Sequence, residues 1–172
     1  MNQFMNMFQD IFAQIGLGQL LAGLFAGLMF VSTFLIIFYL AMAIGLYRMA
    51  IKKEEPNAWI AFIPFVQFYM VGQLLESVKI GNTEISKPNL SYLFVAITLA
   101  PFILGEIPII GGLLVLFSLI VWFVGFHYLF GRYSRFDVVL TVVNVITLGL
   151  ASAFIVLAIS ANEPVGEPIE NQ

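Results

Sequence analysis

Two charge-free stretches, Ile107 to Gly131 and Val138 to Asn162, flank a short basic loop that carries Arg132 and Arg135. A helix of about 23 residues from each stretch would run roughly 34 Å, enough to cross the hydrocarbon of a bilayer. Residues 108–130 and 138–160 are therefore predicted to span a membrane. Arginine is costly in hydrocarbon and is retained preferentially on the cytoplasmic side, so the loop is expected in the cytoplasm and orients the rest of the chain.

Composition supports lipid as the solvent. The chain is 61% hydrophobic and 10% charged, against roughly 45–50% and 25% in soluble domains, which leaves too little polar surface to face water. At 172 residues there is room for one small bundle, and a single integral domain is predicted. The net charge of −3 matters only through which side of the membrane each charge occupies. The absence of cysteine excludes disulfides, thiolate metal sites and cysteine nucleophiles. No glycine-rich phosphate loop, nucleophile elbow, carboxylate pair or metal motif is present, so no cofactor, no nucleic acid and no enzymatic activity are expected.

At the N-terminus, Phe4, Phe8, Ile11, Phe12 and Ile15 share one helical face, with Gln3, Asn6, Asp10 and Gln14 opposite. This pattern predicts an interfacial helix over 1–16, held by inserted aromatic area because it carries no Lys or Arg. It lacks the basic start of a signal peptide and is expected to be retained. A break near Gly16-Leu17-Gly18 separates it from a first span over 24–46. Gly23 and Gly27 form a G-x-x-x-G, suited to helix packing within the bundle or between two copies. Arg48, Lys52 and Lys53 follow the span, which puts the N-terminus outside.

The stretch 56–75 is charge-free and just long enough to cross, yet Pro64 removes a helix hydrogen bond near its centre and Gln67 and Gln73 lie in its second half. If it crosses, Lys79 and Lys87 emerge outside. If it re-enters or lies in the interface, all seven Lys and Arg residues are cytoplasmic, and the outer face carries only Asp10, Glu106, Glu163, Glu167 and Glu170. That partition favours the re-entrant or interfacial form. The residues Trp59-x-x-x-Ile63-Pro64-Phe65-x-x-x-Tyr69-x-x-Gly72 resemble the W-x-x-x-I-P-F-x-N-x-Y-x-x-G-K segment of small multi-pass bacterial membrane proteins of uncharacterised function. His127 to Ser134 is similar to the aromatic-basic end of a later span in such proteins. This chain has Gln67 in place of Asn and Gln73 in place of Lys. The resemblance implies the bacterial cytoplasmic (inner) membrane and no particular chemistry.

Residues 89–104 are predicted to span with local thinning, followed by a tight outer turn at Gly105-Glu106-Ile107-Pro108, where Pro108 can begin a helix. Trp122, Phe123, Phe126, His127, Tyr128, Phe130 and Tyr133 read as an aromatic belt at the cytoplasmic end of the next span. In the last span, Thr141, Asn144, Thr147, Ala151 and Ala158 share a small, polar face expected to pack inward, with Asn144 hydrogen bonding between helices. His127, the only histidine, has no ligand partner at helical spacing. Glu106 and Asp137 sit at turns, where capping or solvation suffices. The acidic tail 161–172 is expected to be mobile outside the membrane.

The sequence thus predicts an all-α polytopic membrane protein: four transmembrane helices, an N-terminal interfacial helix, a re-entrant or surface segment, and both termini outside. Its partners are the lipid bilayer and a protein partner or a second copy in the membrane. The expected role is an accessory, regulatory or assembly partner of a larger membrane system. The alternative is a small oligomeric transporter or channel. Trp59, Pro64, Gln67, Tyr69 and Gly72 form the candidate interaction segment, and Gly23, Gly27 and Asn144 the candidate packing positions.

Overall fold

Apolar helices dominate the computed structural model, which describes residues 2–14, 16–107 and 109–165. Two of them are long and apolar enough to cross a membrane, Gly18–Lys52 and Ile110–Tyr133. The chain falls into two units, 1–37 and 38–172.

In the first unit, helix α1 (Asn2–Gln14) is amphipathic as the sequence predicts, with the rings of Phe4 and Phe8 5.0 Å apart on its apolar face. Helix α2 (Leu17–Lys52) begins here and is longer than the predicted 24–46. It has no proline and no charge before Arg48, so nothing stops it until Lys53 and Glu54. Leu24, Phe25, Leu28, Met29 and Phe30 are all exposed. Thr33 keeps its hydroxyl satisfied inside the helix by donating to the Met29 carbonyl at 2.8 Å.

The second unit is built on Phe38–Lys52 of α2, and its elements share one polar end. After α2 the chain forms a short 3₁₀ turn, Ala58–Phe62, bends at Pro64, and returns as helix α3 (Gln67–Leu75). The Tyr39 hydroxyl donates to the Phe62 carbonyl, and the Phe65 and Phe102 rings lie 5.1 Å apart. Tyr39 stands about 20 Å up α2 from Lys52, so the bend reaches that height before α3 comes back. At the foot, the Lys53 ammonium donates to the Leu74 carbonyl at 2.9 Å. Residues 56–75 therefore start and finish at the same end and do not run through the unit.

A two-stranded hairpin follows, β1 (Ser77–Ile80) and β2 (Thr83–Ser86), joined by Gly81-Asn82. It corrects the all-α expectation. Val78 is buried opposite Ile85, while Lys79 and Glu84 pair on the outer face, the alternation that a half-buried ribbon requires. Helix α4 (Asn89–Leu104) has the predicted bounds and helix α5 (Ile110–Tyr133) starts two residues later than expected. Pro108 lies outside the described residues, and with it the expectation that it begins the helix. Within α4, Pro101 cannot donate to the Ile97 carbonyl, and the Ser118 hydroxyl of α5, shared with the Leu114 carbonyl at 2.7 Å, reaches it at 3.0 Å.

The aromatic side chains of α5 do not form a belt. Phe126, Phe130 and Tyr133 are buried, and Trp122 meets the Phe68 ring at 3.7 Å between centroids and Phe94 at 6.2 Å. They make the core because α3, α4 and α5 converge on them, and of this set only Tyr128, 41% accessible, is exposed.

The predicted single span 138–160 is a second returning hairpin. Helix α6 (Asp137–Ile146) and helix α7 (Ser152–Ile159) are separated by a turn in which Leu148 and Gly149 have φ of 52° and 89°. The Gly149 amide donates to the Asn144 carbonyl at 2.8 Å, closing α6 with a left-handed cap. Helix α7 then descends along α2: the Phe154 ring lies 6.4 Å from that of Phe38, a side chain at Gly45 would strike Val156 and Leu157, and Lys52 donates to the Ala161 carbonyl at 2.6 Å. Two consecutive residues in the left-handed region turn the chain, which uniform hydropathy does not report. Ala161 to Val165 thus lie beside Arg132 and Lys52, with the Val165 amide on the Arg132 carbonyl at 2.8 Å. This corrects the expectation that the tail sits on the side opposite Arg132. Its residues 166–172 lie outside the described ones.

Candidate functional site

The returning segment 56–75 is closed at its foot by charge. Helix α3 leaves its last carbonyls without partners, and a short helix ending in an apolar core needs donors there. Lys53 supplies one to Leu74, and Arg132 supplies another to the Leu75 carbonyl at 2.8 Å. Glu76, the cap residue, joins both: its carboxylate accepts from the Lys53 ammonium at 2.8 Å and from the Arg132 guanidinium. Its backbone, at φ 64° and ψ −58°, lies where side-chain-bearing residues are disfavoured. The Lys87 amide holds the Glu76 carbonyl at 2.7 Å, and the Lys87 ammonium reaches Glu55 at 2.9 Å. The carbonyl end of α3 favours the two cations, and the two cations in turn favour the ionised form of the Glu76 carboxylate.

Burial pushes the Glu76 carboxyl up, but the hydrogen bond from Lys53 and the fields of Arg132 and Lys53 outweigh it and hold it below its ordinary range. Lys53 is held below the ordinary lysine value, chiefly by burial, with Arg132 adding to it and the Glu76 hydrogen bond opposing. The trio is a charged staple that pins α3 to the ends of α2 and α5.

The predicted interaction residues separate. Trp59 is 60% exposed and stands on the outside of the 3₁₀ turn. Pro64 occupies the bend. Gln67 is 7% exposed, and its Oε1 has no hydrogen-bond partner. Tyr69 is half-buried, 5.7 Å from the Tyr92 ring. Gly72 lies where α3 and α4 touch: a side chain there would collide with Ser91, whose hydroxyl takes a hydrogen bond from Gln73 at 3.0 Å. Gly72 and Gln73 are thus packing positions, and the five residues do not form one surface.

Asn144 is 1% exposed and its Oδ1 has no partner, so the expected hydrogen bond between helices is not made by that atom. Thr141 makes one instead. Its hydroxyl donates to the Asp137 carbonyl at 2.7 Å, so at 2.9 Å His127 Nδ1 serves as the donor to it. Thr147 caps the α6–α7 turn, accepting from the Ala151 amide at 3.1 Å. Side chains built at Gly23 or Gly27 would meet nothing within 4 Å, so their G-x-x-x-G packs on nothing in the first unit. Among the described residues no three His, Asp or Glu side chains are grouped to hold a metal.

Sequence reasoning missed Glu76 as the centre of the staple. The sequence signal was shared: Glu76 directly follows a charge-free run, but so do Glu106 and Glu163, and only the fold brings Lys53 and Arg132 to its carboxylate. A scan of family models, of curated proteins and of solved structures returned no match to this chain. What the fold and the site define is a mostly helical chain with two helices long and apolar enough to cross a membrane.

Proposed function

We propose that this chain is a multi-pass protein of the bacterial cytoplasmic membrane that acts, without enzymatic chemistry, as an accessory, regulatory or assembly partner of a larger membrane system. In this reading the four spans expected from sequence become three crossings, α2, α4 and α5, and two hairpins that enter and leave on the cytoplasmic side. The N-terminus lies outside and the C-terminus inside. Lys52, Lys53, Arg132 and Lys87 then sit together at the cytoplasmic face, in keeping with the retention of Lys and Arg there. The resemblance of Trp59 to Gly72 to small multi-pass bacterial proteins supports the location.

The observation that carries the partner role is Trp59. It is 60% exposed, more than Phe62 or Phe65 of the same segment, and its indole makes no ring contact or hydrogen bond among the described residues. Large rigid aromatics of this kind anchor interfaces in desolvated pockets. The test is native co-purification with a photo-crosslinker in place of Trp59. A stoichiometric second protein captured by wild type, and lost in Trp59→Ala at unchanged protein level, is the expected result.

A specific observation favours a second reading, a small oligomeric transporter or channel. Gln67 and Asn144 both bury an unpaired carbonyl oxygen beside the tip of a returning hairpin, and broken helices at membrane depth bind solutes in transporters. Under that reading Gln67→Leu and Asn144→Leu abolish flux in vesicles, whereas under the partner reading capture through Trp59 survives both.

A further inference from the structure

We infer that the β-hairpin side of the second unit is a membrane-thinning face, at which the phospholipid headgroups and water of the inner leaflet reach far up α5. The inference rests on the membrane reading above and adds a surface and its partner, the bilayer's own phospholipids.

Two faces of the same unit meet their surroundings differently at equal height. On α6 the exposed side chains are apolar from the foot upward: Phe136, Val138, Val139, Val142 and Ile146. Lipid can cover that face from Asp137 on. On the other face the hairpin stands against α5. Lys79 and Gly81 line, with Ile120, Val121, Val124 and Tyr128, an open cleft of about 410 Å³. Arg132 marks the foot of α5, so Ile120 stands about 18 Å above it. The five residue steps from Glu76 to Gly81 cover about 16 Å, so the hairpin rises along α5 and does not hang below it. Its outer face carries Lys79 opposite Glu84, and its exposed tip is Gly81-Asn82-Thr83.

A charged pair and a polar turn at that height cannot lie in hydrocarbon without a large cost, so the aqueous boundary must rise to meet them. The boundary on this face stands on the order of 10 Å further into the bilayer than on the α6 face. A second observation on the same side agrees. Helix α4 follows β2 directly and has 16 residues, about 24 Å, which is short of an ordinary hydrocarbon core of about 30 Å. Tyr128, exposed at the rim of the cleft, supplies the amphipathic ring favoured at headgroup level.

The test compares spin labels at Val124→Cys and Ile146→Cys in the full-length, cysteine-free chain, reconstituted in phosphatidylcholine–phosphatidylglycerol vesicles. Both side chains are exposed, and they stand about 12 Å and 13 Å above the feet of α5 and α6. The expected result is several-fold more collision with a water-soluble nickel chelate at 124 than at 146, with oxygen collision in the reverse order. Replacing Lys79 and Glu84 together by leucine should dry position 124 and leave 146 unchanged. Equal burial of both labels in lipid overturns the thinning while leaving the membrane reading intact. Equal wetting of both overturns the membrane reading of this unit and the inference with it.

Discussion

Ser118 shows how a single hydroxyl repairs a helix. Pro101 costs α4 one backbone donor, and a buried carbonyl without a partner is expensive where water is excluded. Ser118 spans the gap to Ile97 from α5. Ser118→Ala should lower stability by about 0.5–2 kcal/mol, the range for hydrogen bonds between membrane helices. The same change in a Pro101→Ala background, where residue 101 regains its amide, should be nearly silent. Thermal unfolding of the four proteins in one detergent measures the coupling. Glu76 gives a pH signature. Its folded carboxyl is held below the ordinary carboxylate range, so as pH falls the unfolded chain takes up its proton first. Stability present at neutral pH is therefore lost as pH drops through and below that range. The unfolding temperature of wild type should fall more steeply than that of Glu76→Gln as pH drops through and below the ordinary carboxylate range.

At the level of elements, the contact between α3 and α4 depends on Gly72 having no side chain. Gly72→Val should force the two backbones apart at Ser91 and break the Gln73 bond, costing about 1–3 kcal/mol, and should show as a lower midpoint in denaturant with α4 more accessible to protease. Much of this architecture was readable in advance. An amphipathic N-terminal helix, the break near Gly16 and the bounds of α4 followed from periodicity and punctuation, and Pro64 signalled the bend within 56–75. The β-hairpin was also signalled, since Gly81-Asn82 lies between alternating apolar and polar residues, but its strands are only four residues each and an all-helical expectation passed over them. The α6–α7 hairpin was not legible. Thr147 to Ala151 are as apolar as their neighbours, and only the left-handed backbone at Leu148 and Gly149 reverses the chain. The candidate site was not legible as a surface: Trp59 and Pro64 face outward while Gln67 and Gly72 are buried, and which of them face inward depends on how α3 lies on α4.

For the molecule as a whole, topology is the property most open to measurement. On the three-crossing reading, single cysteines replacing Arg135 and Glu163 should be protected from an impermeant thiol reagent in whole cells and react after permeabilisation, whereas one replacing Glu106 should react in whole cells. A residue 163 that labels from outside would restore the last span. The tail contacts argue against it, because Lys52 holds the Ala161 carbonyl and lies 3.3 Å from the Glu163 carboxylate.

The common footing of both hairpins also bears on how such a chain is made. A segment whose two ends stay on the side of synthesis never has to carry its flanking charges through the bilayer. On the three-crossing reading, of the charged residues described only Asp10 and Glu106 need be translocated during biogenesis. On the same reading, once α2, α4 and α5 are threaded the two hairpins can slot in from the cytosol, with Lys53, Glu76 and Arg132 locking the first of them in place.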